Sequence, residues 1–160
     1  MTPEARVALA NSKIGMAVRS GTPKPDISSV DALKRTLLEA KSIAYSAQVS
    51  GQYLSNELFP RLGVAEQLKS KSRRVDVGRV GTVVARGEVE IGFQQISELL
   101  PIAEIDYAGP LPAEAQRVTL FSAGIPANST NLDNAKLLIK FLNSQGANPV
   151  VKKCGLEPLQ

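Results

Sequence analysis

Residues 42–63 read SIAYSAQVSGQYLSNELFPRLG. The opening Ser42-Ile-Ala-Tyr45 is short, apolar and inclined to extended backbone. It runs through the polar turn Ser46-Ala-Gln-Val-Ser50-Gly51 into a helical recurrence of Tyr53, Leu54 and Leu58 that closes near Gly63. Strand, polar turn, helix is the repeating step of an α/β protein, and the same step recurs on both sides of this stretch.

Upstream, the apolar run from Lys13 to Val18 predicts a strand, ended by the Gly/Pro-rich segment Arg19-Ser-Gly-Thr-Pro-Lys-Pro25. Ser28-Ser-Val-Asp31 supplies a cap with an acidic residue behind it, and Leu33, Leu37, Leu38 and Ala40 give a helix over about 29–40. Downstream, Val64 to Leu68 is helical, Arg74-Val-Asp-Val77 is extended, and Gly78 opens a helical run of Val80, Val83 and Val84 closed by Gly87. Val89 to Phe93 is a strand, followed by a short helix from Gln94 to Leu100 that stops at Pro101. Ile102 to Ala108 and Arg117 to Ser122 are further strands. A helix capped around Asn131, with Ala135, Leu138, Ile139 and Leu142 on its apolar face, and a last turn over 147–153 complete the chain. Alternation of this kind predicts an α/β fold with a largely parallel sheet.

With 160 residues and 43% hydrophobic content, the chain can build a core. Nineteen Lys+Arg against fifteen Asp+Glu leave a net charge of +4, spread thinly except at Lys69-Ser-Lys-Ser-Arg-Arg74. That cluster reads as a solvated turn between helix and strand. Aromatic content of 4% with no Trp gives bases little to stack on, so nucleic acid is not an expected partner. Histidine is absent and cysteine occurs once, which removes Cys/His zinc sites and Ser–His or Cys–His catalysis. No cofactor and no metal are expected, and Cys154 reads as a small buried apolar residue. The N-terminal Met1-Thr-Pro-Glu-Ala-Arg-Val lacks the basic start and apolar run of a secretory signal.

Ligand chemistry has two similar candidate places. Ser50 and Gly51 lie in the turn before one helix, and Val77 and Gly78 before another. Each start leaves backbone N–H groups free, glycine allows close approach, and the helix dipole favours an anion there. Gln95, with Gln94 beside it, follows a strand end and can offer an amide as donor and acceptor. Arg79 and Arg86 read as solvated, and Glu88 and Glu90 as exposed rather than as an acid/base pair.

The strings SIAYSAQVSGQYLSNELFPRLG, VGRVGTVVARGEVEIGFQQISEL (77–99) and LIKFLNSQGANPVVKKCGLEP (138–158), in this order of elements, resemble the molybdate-binding-protein-like periplasmic solute-binding proteins of ATP-driven (ABC) importers. The resemblance runs from about 13 to 159. It implies a type II periplasmic-binding-protein-like fold of two α/β lobes with ligand between them, one lobe complete here with the hinge and the C-terminal part of the other. By this comparison 1–26 is a hinge-side strand and part of lobe 1, 27–110 is lobe 2, and 111–160 returns to lobe 1 with the C-terminal helices. The family's opening section, with Ser-bearing ligand loops, has no counterpart. Ser50, Val77 and Gln95 match second-lobe ligand contacts, the first two through backbone N–H groups. Molybdate binders typically place a Tyr where Gln95 stands.

The expectation is therefore a non-catalytic solute-binding component of an ABC importer, taking a small anion or polar solute, possibly a molybdate-like oxyanion. Its partners would be that solute and a membrane permease, with a homodimer through an exposed sheet edge also open. The location would be periplasmic if a signal peptide precedes the sequence, and cytoplasmic if the sequence is complete. Two alternatives stand beside it: a ligand-sensing effector domain of a cytoplasmic regulator, and a truncated fragment that self-associates without ligand.

Overall fold

A computed structural model describes residues 6–159. The elements follow in order: β1 (Arg6–Ser12), β2 (Ile14–Arg19), α1 (Val30–Glu39), β3 (Ile43–Ser46), and α2 (Val49–Tyr53), continued by a π-helical turn (Leu54–Leu58) into α3 (Phe59–Arg61). Then come α4 (Ala65–Lys69), β4 (Ser72–Val75), α5 (Val80–Ala85), β5 (Ile91–Gln95), α6 (Ile96–Leu99) and β6 (Ile105–Pro110). A 3-10 turn (Ala113–Ala115), β7 (Thr119–Gly124), α7 (Leu132–Leu142), α8 (Asn148–Lys153) and β8 (Leu156–Pro158) complete the chain.

The chain forms two compact units, one spanning Lys13–Arg117 and the other joining residues 6–12 to 118–159. These bounds differ from the expected divisions at 26/27 and 110/111. β2 is hydrogen-bonded along its length to β5 and β6, so it belongs to the sheet of the larger unit. Residues 1–5 and 160 of the expected segments lie outside the described residues.

The larger unit is a five-stranded sheet in the order β4-β3-β5-β2-β6. β3 runs parallel to β4 and β5, whereas β2 is antiparallel to both β5 and β6. The sheet is thus mixed, not largely parallel. β2 brings the chain into the unit and β6 takes it out, and strands that begin and end at one edge must run in opposite directions. Gly15 of β2 accordingly pairs with Pro110 of β6.

Helices cover both faces. On one face Ile14, Met16, Val18, Ile43, Ile91 and Phe93 pack with Leu33 and Leu37 of α1 and with Tyr53, Leu54, Leu58 and Phe59 of the helix after β3. Fully burying each such side chain contributes roughly 1.5–3 kcal/mol. The opposite face carries Ala17 and Ala44 beneath Val80, Val83 and Val84 of α5 and Leu99 of α6. Small residues there let α5 sit close to the sheet: a Cβ on Gly92 would lie 2.5 Å from Val84 Cγ2 and 2.7 Å from Val80 Cγ1. Two-sided cover explains why β2 and β5 read as continuous apolar runs rather than alternating ones.

α1 begins where its sequence says it should. Ser29 is extended and its hydroxyl accepts from the Ala32 N–H at 3.1 Å, with Asp31 in the first turn. The 69–74 cluster, expected as a turn, spans the last residue of α4, the turn at Ser70-Lys71 and the first three residues of β4. Lys71 donates to the carbonyls of Leu38 and Ala40 at the end of α1, Arg73 pairs with Glu88, and Arg74 pairs with Asp76 at 2.8 Å.

The entry and exit of this unit are tied together. The Gln116 amide accepts from Ile14 N–H at 2.8 Å and donates to Ile14 C=O at 2.9 Å. Tyr53 donates its hydroxyl hydrogen to the Ala115 carbonyl at 2.9 Å, and the Arg117 guanidinium lies 4.4 Å from the Tyr53 ring centre while pairing with Glu57.

In the smaller unit β1 is the middle of a three-stranded antiparallel sheet, β7-β1-β8. Its register with β7 shifts between Ala8 and Ala10. α7 keeps no residue buried; Leu138 and Phe141 are exposed, while Ala135 and Ile139 are half-buried. Cys154, expected inside, is exposed, because it is the C-cap of α8 and lies past the helix's last turn.

Candidate functional site

β3, β4 and β5 run in the same direction, so their C-terminal ends share one edge of the sheet. Ser46 lies opposite Val75, and Tyr45 opposite Phe93, two residues before Gln95. Every residue singled out from sequence therefore falls at this edge: Ser50 and Gly51 after β3, Val77 and Gly78 after β4, and Gln95 at the end of β5. In open α/β sheets this is the side on which ligands bind.

The three connections differ in what they leave available. After β3, the Ser46 hydroxyl accepts from the Gln48 N–H at 3.0 Å and Ala47 N–H donates to Val75 C=O at 2.9 Å, which fixes the turn to its neighbour. Gln48, the N-cap of α2, makes no side-chain capping bond, so the N–H groups of the first turn remain for an incoming acceptor. Ser50 is buried. Gly51 has a second role beyond the one expected of it. A Cβ there would fall 1.5 Å from the Ser46 carbonyl oxygen, so the backbone that approaches it closely is the chain's own strand end.

After β4, Val77 is 93% exposed and Gly78 has φ +89, with open space where a side chain would stand. Glycine is needed here for the left-handed backbone. The start of α5 is not wholly free, because the buried Gln94 accepts from the Val80 N–H at 2.8 Å. The two glutamines at the end of β5 thus divide their tasks: Gln94 caps α5 from beneath, whereas the Oε1 of Gln95 is buried without a partner. Sequence alone treated them as a pair. The opposite faces of consecutive strand residues are the signal that separates them.

Arg79, Arg86, Glu88 and Glu90 are each engaged within the chain. Arg79 donates to Glu98 at 2.9 Å, and Arg86 lies 3.7 Å from Glu88. Arg73, hydrogen-bonded to Glu88, holds that carboxyl below its ordinary range, and Glu90 accepts from the Lys41 N–H at 2.6 Å. Glu88 and Glu90 are ion-pair and backbone acceptors, not an acid/base pair. Among the described residues no cluster of three or more Cys, Asp or Glu could hold a metal ion, and no helix is long and apolar enough to cross a membrane.

The family model of bacterial extracellular solute-binding proteins matches residues 1–157. An aconitate isomerase from a Pseudomonas species is 45% identical over 156 residues, which is 98% of this chain and 60% of that protein. The chain thus spans three fifths of that relative's length. Among solved structures, the substrate-binding domain assigned to a molybdenum ABC transporter of Clostridium difficile superposes with a TM-score of 0.75 at 19% identity, covering 100% of this chain and 69% of that one. The periplasmic molybdate-binding protein of Azotobacter vinelandii gives 0.72 at 19%, covering 99% and 70%. At such identity these two establish likeness of fold.

Proposed function

The chain belongs to the bacterial extracellular solute-binding proteins, and from that premise we propose that it binds a small polycarboxylate of the aconitate type at the edge where β3, β4 and β5 end. The N–H groups of Ser50 and Gly51 and of Val77 and Gly78 receive carboxylate oxygens, and the Gln95 amide fixes the ligand's orientation. The observation that carries this reading is that the ends of β3, β4 and β5 share one edge, so both helix starts and Gln95 lie along it, while Ser46 and Gln94 there are bonded within the chain. Within the Gln95 amide it is Nε2 that donates to a carboxylate oxygen, because Oε1 and a carboxylate are both acceptors. The ligand class is supported by the 45% identical aconitate isomerase. Delivery of the solute to an ABC permease from the periplasm follows the family's usual employment.

A second reading, favoured by the same relative, is catalytic: interconversion of cis- and trans-aconitate. These 160 residues hold no histidine, so proton transfer by this chain's own groups would fall to a carboxylate, lysine or tyrosine.

One experiment tests both. cis-Aconitate, trans-aconitate and molybdate are titrated by calorimetry, and each aconitate sample is then examined by proton NMR. Aconitate binding without interconversion, weakened about tenfold by Gln95→Ala, is the expected result. Interconversion would establish the second reading. Binding of molybdate alone, or of none of the three, would overturn the polycarboxylate assignment.

A further inference from the structure

The larger unit has a cavity of about 640 Å3 at the end of its sheet opposite Gln95. Val18 at the end of β2 pairs with Ile91 at the start of β5, and Lys41 and Ser42 lead into β3, so this edge is remote from Gln95 by the full length of β5. At about 3.3 Å per residue that separation is roughly 13 Å.

Its lining is amphipathic. Val18, Val89 and Ile91 are buried and form an apolar floor, while Arg19, Lys24 and Lys41 stand around it. Among the described residues these three cations meet no ion-pair or side-chain hydrogen-bond partner, whereas Lys69, Arg73, Arg74, Arg79 and Arg117 of the same unit each meet a carboxylate. Glu90, the one acid in the lining, is turned to the Lys41 N–H. Three cations against one carboxylate leave the cavity with a charge of about +2.

The walls are also set before any ligand arrives. Thr22 donates both its N–H (3.1 Å) and its hydroxyl (2.6 Å) to the Arg19 carbonyl, and Asp106 accepts from the Ser20 hydroxyl and the Gly21 N–H, each at 3.1 Å. Pro23 and Pro25 on either side of Lys24 restrict that wall further. The Arg19 guanidinium is seated against Gly87, where a Cβ would come within 3.1 Å of Nη1. Rigid walls reduce the ordering cost of binding.

We propose that this cavity is a second ligand site, independent of the strand-end edge, for a small organic dianion with an apolar body, such as a monophosphate ester. The floor takes the apolar body and Arg19, Lys24 and Lys41 take the charge. Unpaired lysines on a plain solvated face would show no preference for an apolar body and no saturable binding.

Phenyl phosphate is the probe, inorganic phosphate its control, and the readout is backbone amide NMR on the whole protein, compared with a Lys24→Ala/Lys41→Ala variant. The proposal expects saturable shifts at Thr22, Gly87 and Val89, a dissociation constant about tenfold higher in the variant, and binding of inorganic phosphate at least about tenfold weaker. Salt should weaken the binding. Absence of shifts at these residues up to about 10 mM, equal affinity in the variant, equal affinity for inorganic phosphate, or shifts confined to the region of Gln95 would each overturn it. Because Gln95→Ala leaves this cavity intact, the outcome is separable from that of the polycarboxylate titration.

Discussion

Replacing Gly51 with alanine separates two accounts of the turn after β3 by the sign of the effect. Gly51 is inside a helix, where alanine is intrinsically the better residue by about 1 kcal/mol, so helix propensity by itself predicts a more stable protein. The packing predicts the reverse. The new methyl carbon would fall 1.5 Å from the Ser46 carbonyl oxygen and 2.6 Å from its carbon, where ordinary contact begins at 3.4 Å. Helix start and strand end must therefore part by about 2 Å. That movement breaks the contact of α2 with β3 and disturbs the Ser46–Gln48 and Ala47–Val75 hydrogen bonds. Overpacking against yielding side chains costs about 1–3 kcal/mol. Here the obstacle is backbone, so the net loss should be about 3 kcal/mol or more, after the propensity gain is deducted. Urea denaturation followed by far-ultraviolet circular dichroism measures it, with Ser50→Ala as a neighbour that adds no atoms. A Gly51→Ala protein as stable as the parent, or more so, would refute the close-approach argument and return Gly51 to the role of a ligand-facing glycine alone.

Other substitutions probe the remaining supports. Gln94→Leu removes the acceptor for the buried Val80 N–H and should cost about 1–3 kcal/mol in the same assay, whereas a wholly solvated amide would cost almost nothing. Ser29→Ala should cost about 1 kcal/mol by uncapping α1. Burial pushes the Tyr107 phenol up to about 12. The folded chain then holds that proton more tightly than the unfolded chain, so stability is unaffected below about pH 10 and falls between about 10 and 12 as pH rises. Tyr107→Phe should flatten that part of a pH–stability curve, and an unchanged curve would show that the ring ionises as freely folded as unfolded.

Much of the element order could be read from the chain because it rests on local chemistry. The Ser29 cap, the Gly63 and Gly87 helix ends with φ of +69 and +70, and the apolar runs of β2 and β5 each depend on a few consecutive residues. β1 and β8 gave no such signal: Arg6–Ser12 alternates weakly, and Leu156–Pro158 is three residues long, so both are extended only because each finds a partner strand. Cys154 departs from its expected burial for a related reason. Its apolar character says nothing of the helix end that leaves it exposed.

The sequence by itself determined the α/β class, the two polar turns at Ser50-Gly51 and Val77-Gly78, and the absence of any histidine or paired thiol for catalysis. These follow from residue type and spacing. Tertiary structure alone decided that β2 runs against its neighbours, that Gly51 is held by Ser46, that Gln94 faces inward to cap α5 while Gln95 keeps an unpartnered end, and that Arg19, Lys24 and Lys41 surround one cavity. Each of these is a contact between residues far apart in the chain, and pairing across such distances is fixed by the shape of the packed core, which no local pattern encodes.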